Sequence, residues 1–107
     1  MKNQETIDVC HACSTACESC ATACLQEEEV EMMTYCIALT RSCADVCDLA
    51  AREMARESEF ADQICDLCAD ICQACGDECA QHDVEHCKRC AAVCHRCADA
   101  CRLMAAF

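Results

Sequence analysis

The residues with the most evident chemistry in this sequence are its cysteines, which number 18 in a chain of 107 residues. A cysteine thiolate is a soft ligand that binds Cu(I), Zn(II) or iron–sulfur clusters, whereas calcium and magnesium prefer oxygen ligands. Eighteen thiols are far more than one redox pair or one mononuclear metal site requires. The sequence therefore points to chemistry in which many thiols act together on a soft metal.

The cysteines recur with one spacing in three segments, which read CHACSTACESCATAC, CDLCADICQACGDEC and CKRCAAVCHRCADAC. Within each segment the steps alternate between three and four residues. The average step of 3.5 residues places all five sulfurs of a segment on one face of an α-helix. At a rise of about 1.5 Å per residue, each row of sulfurs is about 21 Å long.

A fourth copy of this pattern is visible in MTYCIALTRSCADVC, where Met33 and Thr40 hold two of the five slots. The four segments together account for every cysteine in the chain. We therefore predict that all the cysteines are metal ligands, with Met33 as an additional one. The predicted cysteine ligands are Cys10, Cys13, Cys17, Cys20, Cys24, Cys36, Cys43, Cys47, Cys65, Cys68, Cys72, Cys75, Cys79, Cys87, Cys90, Cys94, Cys97 and Cys101.

Four helices are needed to position these rows. The chain has no proline and a single glycine, which favours helices over hairpins and loops. We predict helices near residues 5–26, 29–56, 59–81 and 84–105, with Ser58 and Asp83 as N-caps of the third and fourth. Short connections make neighbouring helices antiparallel. The predicted fold is an all-α, antiparallel up-down-up-down four-helix bundle with a Cys-lined core, forming a single domain over residues 1–107.

In this bundle the four rows are expected to meet as five stacked thiol layers. The predicted register places Cys10 level with Cys47, and Cys24 level with Met33. A second set of apolar residues precedes the cysteine row on the second and third helices. If part of it stays exposed, it would favour a homo-oligomer. These flanking residues are Tyr35, Leu39, Val46, Leu49, Ile64, Leu67, Ile71 and Ala74.

The charge of the loaded interior favours Cu(I) over zinc. One Cu(I) replaces one thiol proton, so a one-to-one complex leaves the interior formally neutral. A zinc ion held by four thiolates carries two net negative charges, and burying several such sites in one column is costly. The predicted cargo is therefore Cu(I), roughly one ion per cysteine, with a few more at histidine and methionine sites.

Other interpretations of the cysteines remain open. A zinc or cadmium buffer of the metallothionein kind would bind about one metal per four thiols. A thiol redox protein or iron–sulfur carrier would single out one reactive pair or bind a coloured cluster. A copper chaperone would need only one exposed pair. Pure packing is disfavoured because leucine or isoleucine would bury more area than cysteine.

The two predicted ends of the bundle differ in polarity. His82 and His86 fall at the turn between the third and fourth helices, near Met33 and Glu27, and imidazole and thioether groups can accept Cu(I) transiently. We predict that copper is admitted at this end, with His82 and His86 as additional ligands. The other end is expected to be closed by a hydrophobic plug, formed by Ile7, Met54, Phe60, Leu103 and Met104.

The charge and hydropathy of the chain limit its partners and its location. A net charge of -12 argues against nucleic-acid binding. No stretch approaches the roughly 18 to 20 apolar residues of a membrane span, and the amino-terminal residues lack the apolar core of a signal peptide. A disulfide scaffold would be richer in glycine and loops. We expect a cytoplasmic protein with reduced thiols and no membrane partner.

Taken together, the three CxxCxxxCxxCxxxC runs, the sparser second segment and the stretch ADICQACGDECAQHDVEHCKRCAAVC resemble the bacterial copper storage proteins of the Csp type, in particular their cytosolic branch. The resemblance covers nearly the whole chain. It implies a non-enzymatic protein that stores Cu(I) on inward-facing thiolates, loads through one open end and assembles as a homotetramer. Copper detoxification would follow from sequestration, and a copper-donating chaperone could deliver the metal.

Overall fold

The computed structural model describes residues 3–106, with side chains given as far as Met104, and over this range it contains four α-helices and no strand. The all-α prediction is confirmed. The helices are α1 (Gln4–Cys24), α2 (Thr34–Arg56), α3 (Ala61–Ala80) and α4 (Glu85–Ala106), and a 3₁₀ helix, Val30–Met33, precedes α2.

The helix boundaries follow the prediction except at the start of the second helix. Residues predicted to begin it at position 29 instead form the 3₁₀ turn, in which the Met32 N–H donates to the Glu29 carbonyl oxygen at 3.0 Å. Such tight turns are common at helix N-termini. The predicted N-cap of α3 is wrong by two residues, because Phe60 holds that position and Ser58 Oγ accepts its N–H at 3.0 Å in the turn before the helix. The carboxylate of the predicted cap Asp83 lies 2.8 Å from Lys88 Nζ.

The helices form a closed ring in which each packs against the next and α4 returns to α1. Sulfur contacts show that adjacent helices run in opposite directions. Cys10 near the start of α1 lies 3.7 Å from Cys101 near the end of α4, whereas Cys24 at the end of α1 lies 3.9 Å from Cys87. The bundle measures 44 × 18 × 18 Å. This is the predicted antiparallel four-helix bundle.

The interior of the bundle consists mainly of cysteine and alanine. All 18 cysteines are buried. The alanines that accompany them have no β-branches or long chains, so the helices can approach closely enough for the sulfurs of opposite walls to meet. The alanines with at most 2% of their surface exposed are Ala44, Ala50, Ala51, Ala69 and Ala98.

One end of the bundle is closed by apolar side chains, as predicted, but by fewer of them. Ile7 and Met54 are buried, and Met104 packs against the core. Phe60 and Leu103 were expected in this plug and are instead 54% and 64% exposed. The reason is helical rotation of about 100° per residue, because Leu103 follows the inward-facing Cys101 by two residues and so faces away from the core.

Candidate metal centre

Helical spacing brings the thiols of each row into contact with one another. Residues three or four positions apart on a helix are neighbours on one face. The sulfurs of Cys68 and Cys72 are 3.8 Å apart, and those of Cys90 and Cys94 are also 3.8 Å apart. The helices α1, α3 and α4 therefore each present a nearly continuous strip of sulfur to the bundle axis, and α2 presents a shorter one.

The strips of different helices also meet across the axis. The sulfur of Cys43 lies 3.5 Å from that of Cys72, and the sulfur of Cys17 lies 3.6 Å from that of Cys94. All 18 cysteines are free thiols. The predicted inward orientation of the cysteines is thus observed in all four helices, and the thiols form one column.

The predicted register of α2 is wrong by about one slot. Cys47 lies 3.7 Å from Cys68 and 3.8 Å from Cys97, deeper in the column than the Cys10 level at which it was expected. At the other end Cys36, and not Met33, lies 3.5 Å from Cys79. The 3₁₀ turn and the loop before it keep Met33 outside this layer, at the end of the bundle that also contains His82 and His86 and that we call the mouth.

The thiols form overlapping groups of four in which every pair of ligand atoms lies within 4.8 Å. Cys13, Cys17, Cys94 and Cys97 each belong to two of these groups. A shared thiolate can bridge two metal ions, so the column suits a polynuclear cluster better than isolated sites. Five of the groups are Cys10/Cys68/Cys97/Cys101, Cys13/Cys47/Cys72/Cys97, Cys13/Cys17/Cys43/Cys94, Cys17/Cys75/Cys90/Cys94 and Cys20/Cys24/His86/Cys87.

Thr40 interrupts the ladder, as the sequence indicated. Its side chain is fully buried, and its Oγ1 donates a hydrogen bond shared between the carbonyl oxygens of Cys36 and Ile37, both at 2.9 Å. The hydroxyl is therefore engaged with its own helix backbone. This position contributes no sulfur to the column.

The predicted mouth contains both candidate histidines, but they have different surroundings. His86 Nδ1 lies 3.6 Å from the sulfurs of both Cys20 and Cys87, and its Nε2 lies 2.9 Å from Glu27 Oε1. His82 Nε2 instead lies 2.7 Å from Glu78 Oε2, the carboxylate one helical turn before it. Only His86 of the two is joined to the thiol column by these contacts.

A cleft of about 520 Å³ opens at this end between the α1–α2 connection and the α3–α4 turn. Met33 lines it and is 7% exposed, and Met32 beside it is 67% exposed. Glu27 and His82 also line the cleft. Soft and acidic groups thus surround the approach to the outermost thiols.

Two of the outermost thiols, Cys24 and Cys87, favour the neutral form. Burial raises the pKa of both above the ordinary value of 9.0, and repulsion from the nearby Cys36 sulfur adds to the effect. Desolvation disfavours the charged thiolate, which explains the direction. A metal ion that binds here at neutral pH must therefore displace protons.

The sequence places Glu27 at the same end as the two histidines, but it does not identify the two individual histidine–carboxylate pairs found there. The Glu78 partner of His82 could have been recognised, because His82 follows the end of α3 by two residues and Glu78 lies four positions before it, the spacing of one helical turn. The contact between Glu27 and His86 joins residues 59 positions apart and depends on how the two connections fold together. No local pattern identifies it.

None of the helices in the described part of the chain has the length and apolar character that crossing a membrane requires.

Comparison with known proteins identifies a family to which the chain is similar. Residues 1–106 match a family model described as Csp, copper storage protein.

Individual relatives cover almost the entire chain. The cysteine-rich protein YhjQ of Bacillus subtilis strain 168 is 48% identical over 104 residues, which is 97% of this chain and 96% of the relative. The Cu(I)-bound copper storage protein BsCsp3 is 47% identical with a TM-score of 0.94, covering 98% and 99% of the two chains. A cytosolic copper storage protein from Streptomyces lividans, studied during copper loading, is 40% identical with a TM-score of 0.92, covering 95% and 90%.

Proposed function

Because this chain belongs to the copper storage protein family, we propose that it stores many Cu(I) ions on the thiolates that line its bundle. The observation that carries the proposal is the column of 18 buried free thiols, in which sulfurs from all four helices lie 3.5 to 4.0 Å apart. A copper chaperone or a thiol redox protein would need only one exposed or reactive pair of cysteines. Sequestration in the column would also detoxify the metal.

The proposed ligands are the cysteines of the four rows, with the mouth residues as accessory ligands. His86 contacts the outermost thiols directly, and Met33 is buried beside the cleft. His82 would bind copper only by exchanging its Glu78 contact for the metal. We therefore assign His86 and Met33 to ions that pass between the cleft and the column, and His82 to an earlier encounter.

The preference for Cu(I) over divalent metals inside the column is supported by charge and by connectivity. A column filled with one Cu(I) per thiolate is formally neutral, whereas buried zinc tetrathiolate sites are dianionic. Soft thiolates also bind Cu(I) readily in low coordination numbers. The sulfurs shared between neighbouring groups supply the bridges that a Cu(I) cluster uses.

We propose that copper moves through the polar end only. At the opposite end Ile7 and Met54 are buried and Met104 packs against the core, so the two thioethers there are part of the apolar packing and do not line an open cleft as Met33 does. The mouth combines carboxylates, imidazoles and thioethers that can hold an ion briefly and pass it inward. Slow release follows from the same geometry, because deep ions can leave only after those nearer the mouth.

The remaining proposals concern the cellular setting. The protein is a single non-enzymatic domain over residues 1–107 that acts in the cytoplasm, where thiols stay reduced. The cytosolic relative from Streptomyces lividans supports this location. A copper-donating chaperone could supply the metal at the mouth, and nucleic acid and membranes are not partners.

We further propose that the chain is a homotetramer that uses the exposed apolar flank of α2 and α3. Leu49 and Leu67 are 38% and 50% exposed, and the contact between Cys47 and Cys68 places them at the same level of adjacent helices. Sedimentation velocity should give a tetramer for the native chain and a smaller species for Leu67→Glu. Leu103→Glu, on α4, is the matched control and should remain tetrameric.

An anaerobic Cu(I) titration of the fully reduced protein against a coloured Cu(I) chelator tests the storage function. Metal and thiol should be counted on the same sample. Storage predicts a break near 18 ions per chain or slightly above, matching the cysteine count. A break between one and five ions would contradict storage and favour a chaperone or a zinc-type buffer.

A further inference from the structure

We propose that the mouth of the copper-free bundle is also a site for one zinc ion, bound by Cys20, Cys24, Cys87 and His86. These four side chains are already mutually in contact and come from only two helices, α1 and α4. The ligand set is three thiolates and one imidazole, which is one of the standard sets of structural zinc sites. Its three cysteines also belong to the copper column, so the zinc site differs from the column in metal and in stoichiometry and shares these ligands with it.

The geometry of the four ligand atoms is tetrahedral. The three sulfur–sulfur distances are all 3.9 Å, between Cys20 and Cys24, Cys20 and Cys87, and Cys24 and Cys87. The distances from His86 Nδ1 are 3.6 Å to Cys20, 3.6 Å to Cys87 and 4.0 Å to Cys24. All six edges of the group therefore have similar lengths.

These edges have the size that zinc requires. With zinc–sulfur bonds of about 2.3 Å and a zinc–nitrogen bond of about 2.0 Å, an ideal tetrahedron has sulfur–sulfur edges of about 3.8 Å and sulfur–nitrogen edges of about 3.5 Å. Every observed edge is within about 0.5 Å of these values, and the longest, from His86 Nδ1 to Cys24, deviates most. Only small side-chain movements are needed to bind the ion.

A carboxylate that would orient the histidine ligand is also in place. Metal-bound histidines usually donate their other ring N–H to a carboxylate or carbonyl oxygen, which fixes the tautomer and the ring orientation. Here Nε2 of His86 lies 2.9 Å from Glu27 Oε1 while Nδ1 faces the three sulfurs. The carboxylate thus selects the tautomer in which Nδ1 is free to bind the metal.

Charge distinguishes this group from the all-cysteine groups deeper in the column. Zinc with three thiolates and a neutral imidazole carries one negative charge, compared with two for four thiolates. The group also lies at the solvent edge, where the side chains of His86 and Glu27 are 18% and 34% exposed. The burial penalty that excludes zinc from the interior is therefore smaller at the mouth.

Zinc in this position would join the end of α1 to the start of α4 and cover the outermost thiols. Binding would release three thiol protons, one from each cysteine, because the ligands are thiolates in the complex. Copper loading uses the same three thiolates. One zinc ion should therefore leave the protein for each chain that fills with copper.

Anaerobic titration of the reduced, copper-free chain with Co(II) as a spectroscopic probe and with Zn(II) tests the proposal. We expect one tight equivalent with the intense visible bands of tetrahedral cobalt, and X-ray absorption of the one-to-one zinc complex should show three sulfurs and one nitrogen. Glu27→Gln should weaken zinc binding by about 10-fold to 100-fold. Glu28→Gln, an exposed neighbour, is its matched control and should leave the affinity unchanged.

Removal of the imidazole provides the decisive variant. His86→Ala should lose the nitrogen from the zinc shell and weaken binding by more than Glu27→Gln does, while His11→Ala, at an exposed position, should not. Four sulfurs around the first zinc, or unchanged binding in His86→Ala, would overturn the proposal. Copper capacity is measured in a separate titration. If no zinc binds at the mouth, the break near 18 Cu(I) is still expected. If the copper capacity is low, the zinc titration still tests the zinc site.

Discussion

The imidazole of His95 lies directly over Gly76, so that a β-carbon placed on the glycine would come within 2.5 Å of His95 Cδ2. The same ring lies 2.9 Å from Asp77 Oδ1 through its Nε2, and this contact is the largest cause of the lowered pKa of Asp77. The single glycine of the chain thus admits a side chain from α4 onto the surface of α3. The contact ties the two helices together outside the thiol column.

We predict that Gly76→Ala is destabilising in the native chain and stabilising when His95 has been replaced by alanine. Alanine is better than glycine inside a helix by about 1 kcal/mol, but the native imidazole must first move away and lose its Asp77 contact. The double-mutant cycle should therefore show a coupling of about 1 kcal/mol or more. Equal effects of Gly76→Ala in both backgrounds, measured by chemical denaturation, would contradict the contact.

Thr40→Cys should raise the copper capacity by one ion. The threonine occupies a ladder slot and is fully buried, so a thiol there joins the column without exposing new surface. The break in the Cu(I) titration is expected to move from near 18 to near 19. Thr40→Val has a similar volume and adds no ligand, so its capacity should equal that of the native chain. An unchanged break in Thr40→Cys would mean that this position does not face the column.

Met54→Ala should destabilise the copper-free protein by about 2 to 5 kcal/mol, the usual cost of truncating a fully buried methionine. Met54 has no exposed surface and closes the end opposite the mouth. Phe60→Ala provides the control near the same end, because Phe60 is 54% exposed and should cost less than about 1 kcal/mol. Urea unfolding under reducing conditions compares the two. Similar losses in the free energy of unfolding of the two variants would contradict the assignment of Met54 as the main packing residue at this end.

The copper-free protein should lose stability as the pH rises above about 9. The pKa values of Cys24 and Cys87 are raised by burial, so the unfolded chain ionises these thiols first, near 9.0, and binds fewer protons than the folded chain. Stability is therefore fully present below pH 9 and falls above it by about 1.4 kcal/mol per pH unit for each such thiol. The copper-loaded protein should lack this loss, because its thiolates are already metal-bound. Thermal unfolding between pH 8 and 10 makes the comparison, and a flat profile for the copper-free form would be inconsistent with raised pKa values.

The sequence predicts the helices and the inward direction of the cysteines because both follow from one local spacing. The register of α2 does not follow from it. Cysteines that repeat every 3.5 residues occupy the same helix face when the helix is shifted along its axis by one cysteine position. The spacing in α2 is therefore equally compatible with Cys47 at the level of Cys10 and with Cys47 at the level of Cys13. The choice is made by the 3₁₀ turn before Thr34 and by the packing of Met54, which depend on the assembled bundle.

The two mouth histidines illustrate the same limit at the level of single side chains. The sequence places both at the same turn, and local spacing pairs His82 with Glu78. The contact of His86 with Glu27 requires that two separate connections meet in space. The sequence therefore indicates a metal-binding end but does not identify which imidazole faces the sulfurs.

The cysteines of this bundle are both its interior packing and its proposed metal ligands. The number of copper ions that it can bind therefore increases with the length of the helices and not with the width of the bundle. Seven further residues in every helix would lengthen the rod by about 10.5 Å and add two slots per helix, eight in all, without widening it. If copper enters through one end, as proposed above, each extension would also lengthen the route that an ion travels to the deepest thiols. A longer relative built on this plan would gain capacity in steps of eight and fill and empty more slowly.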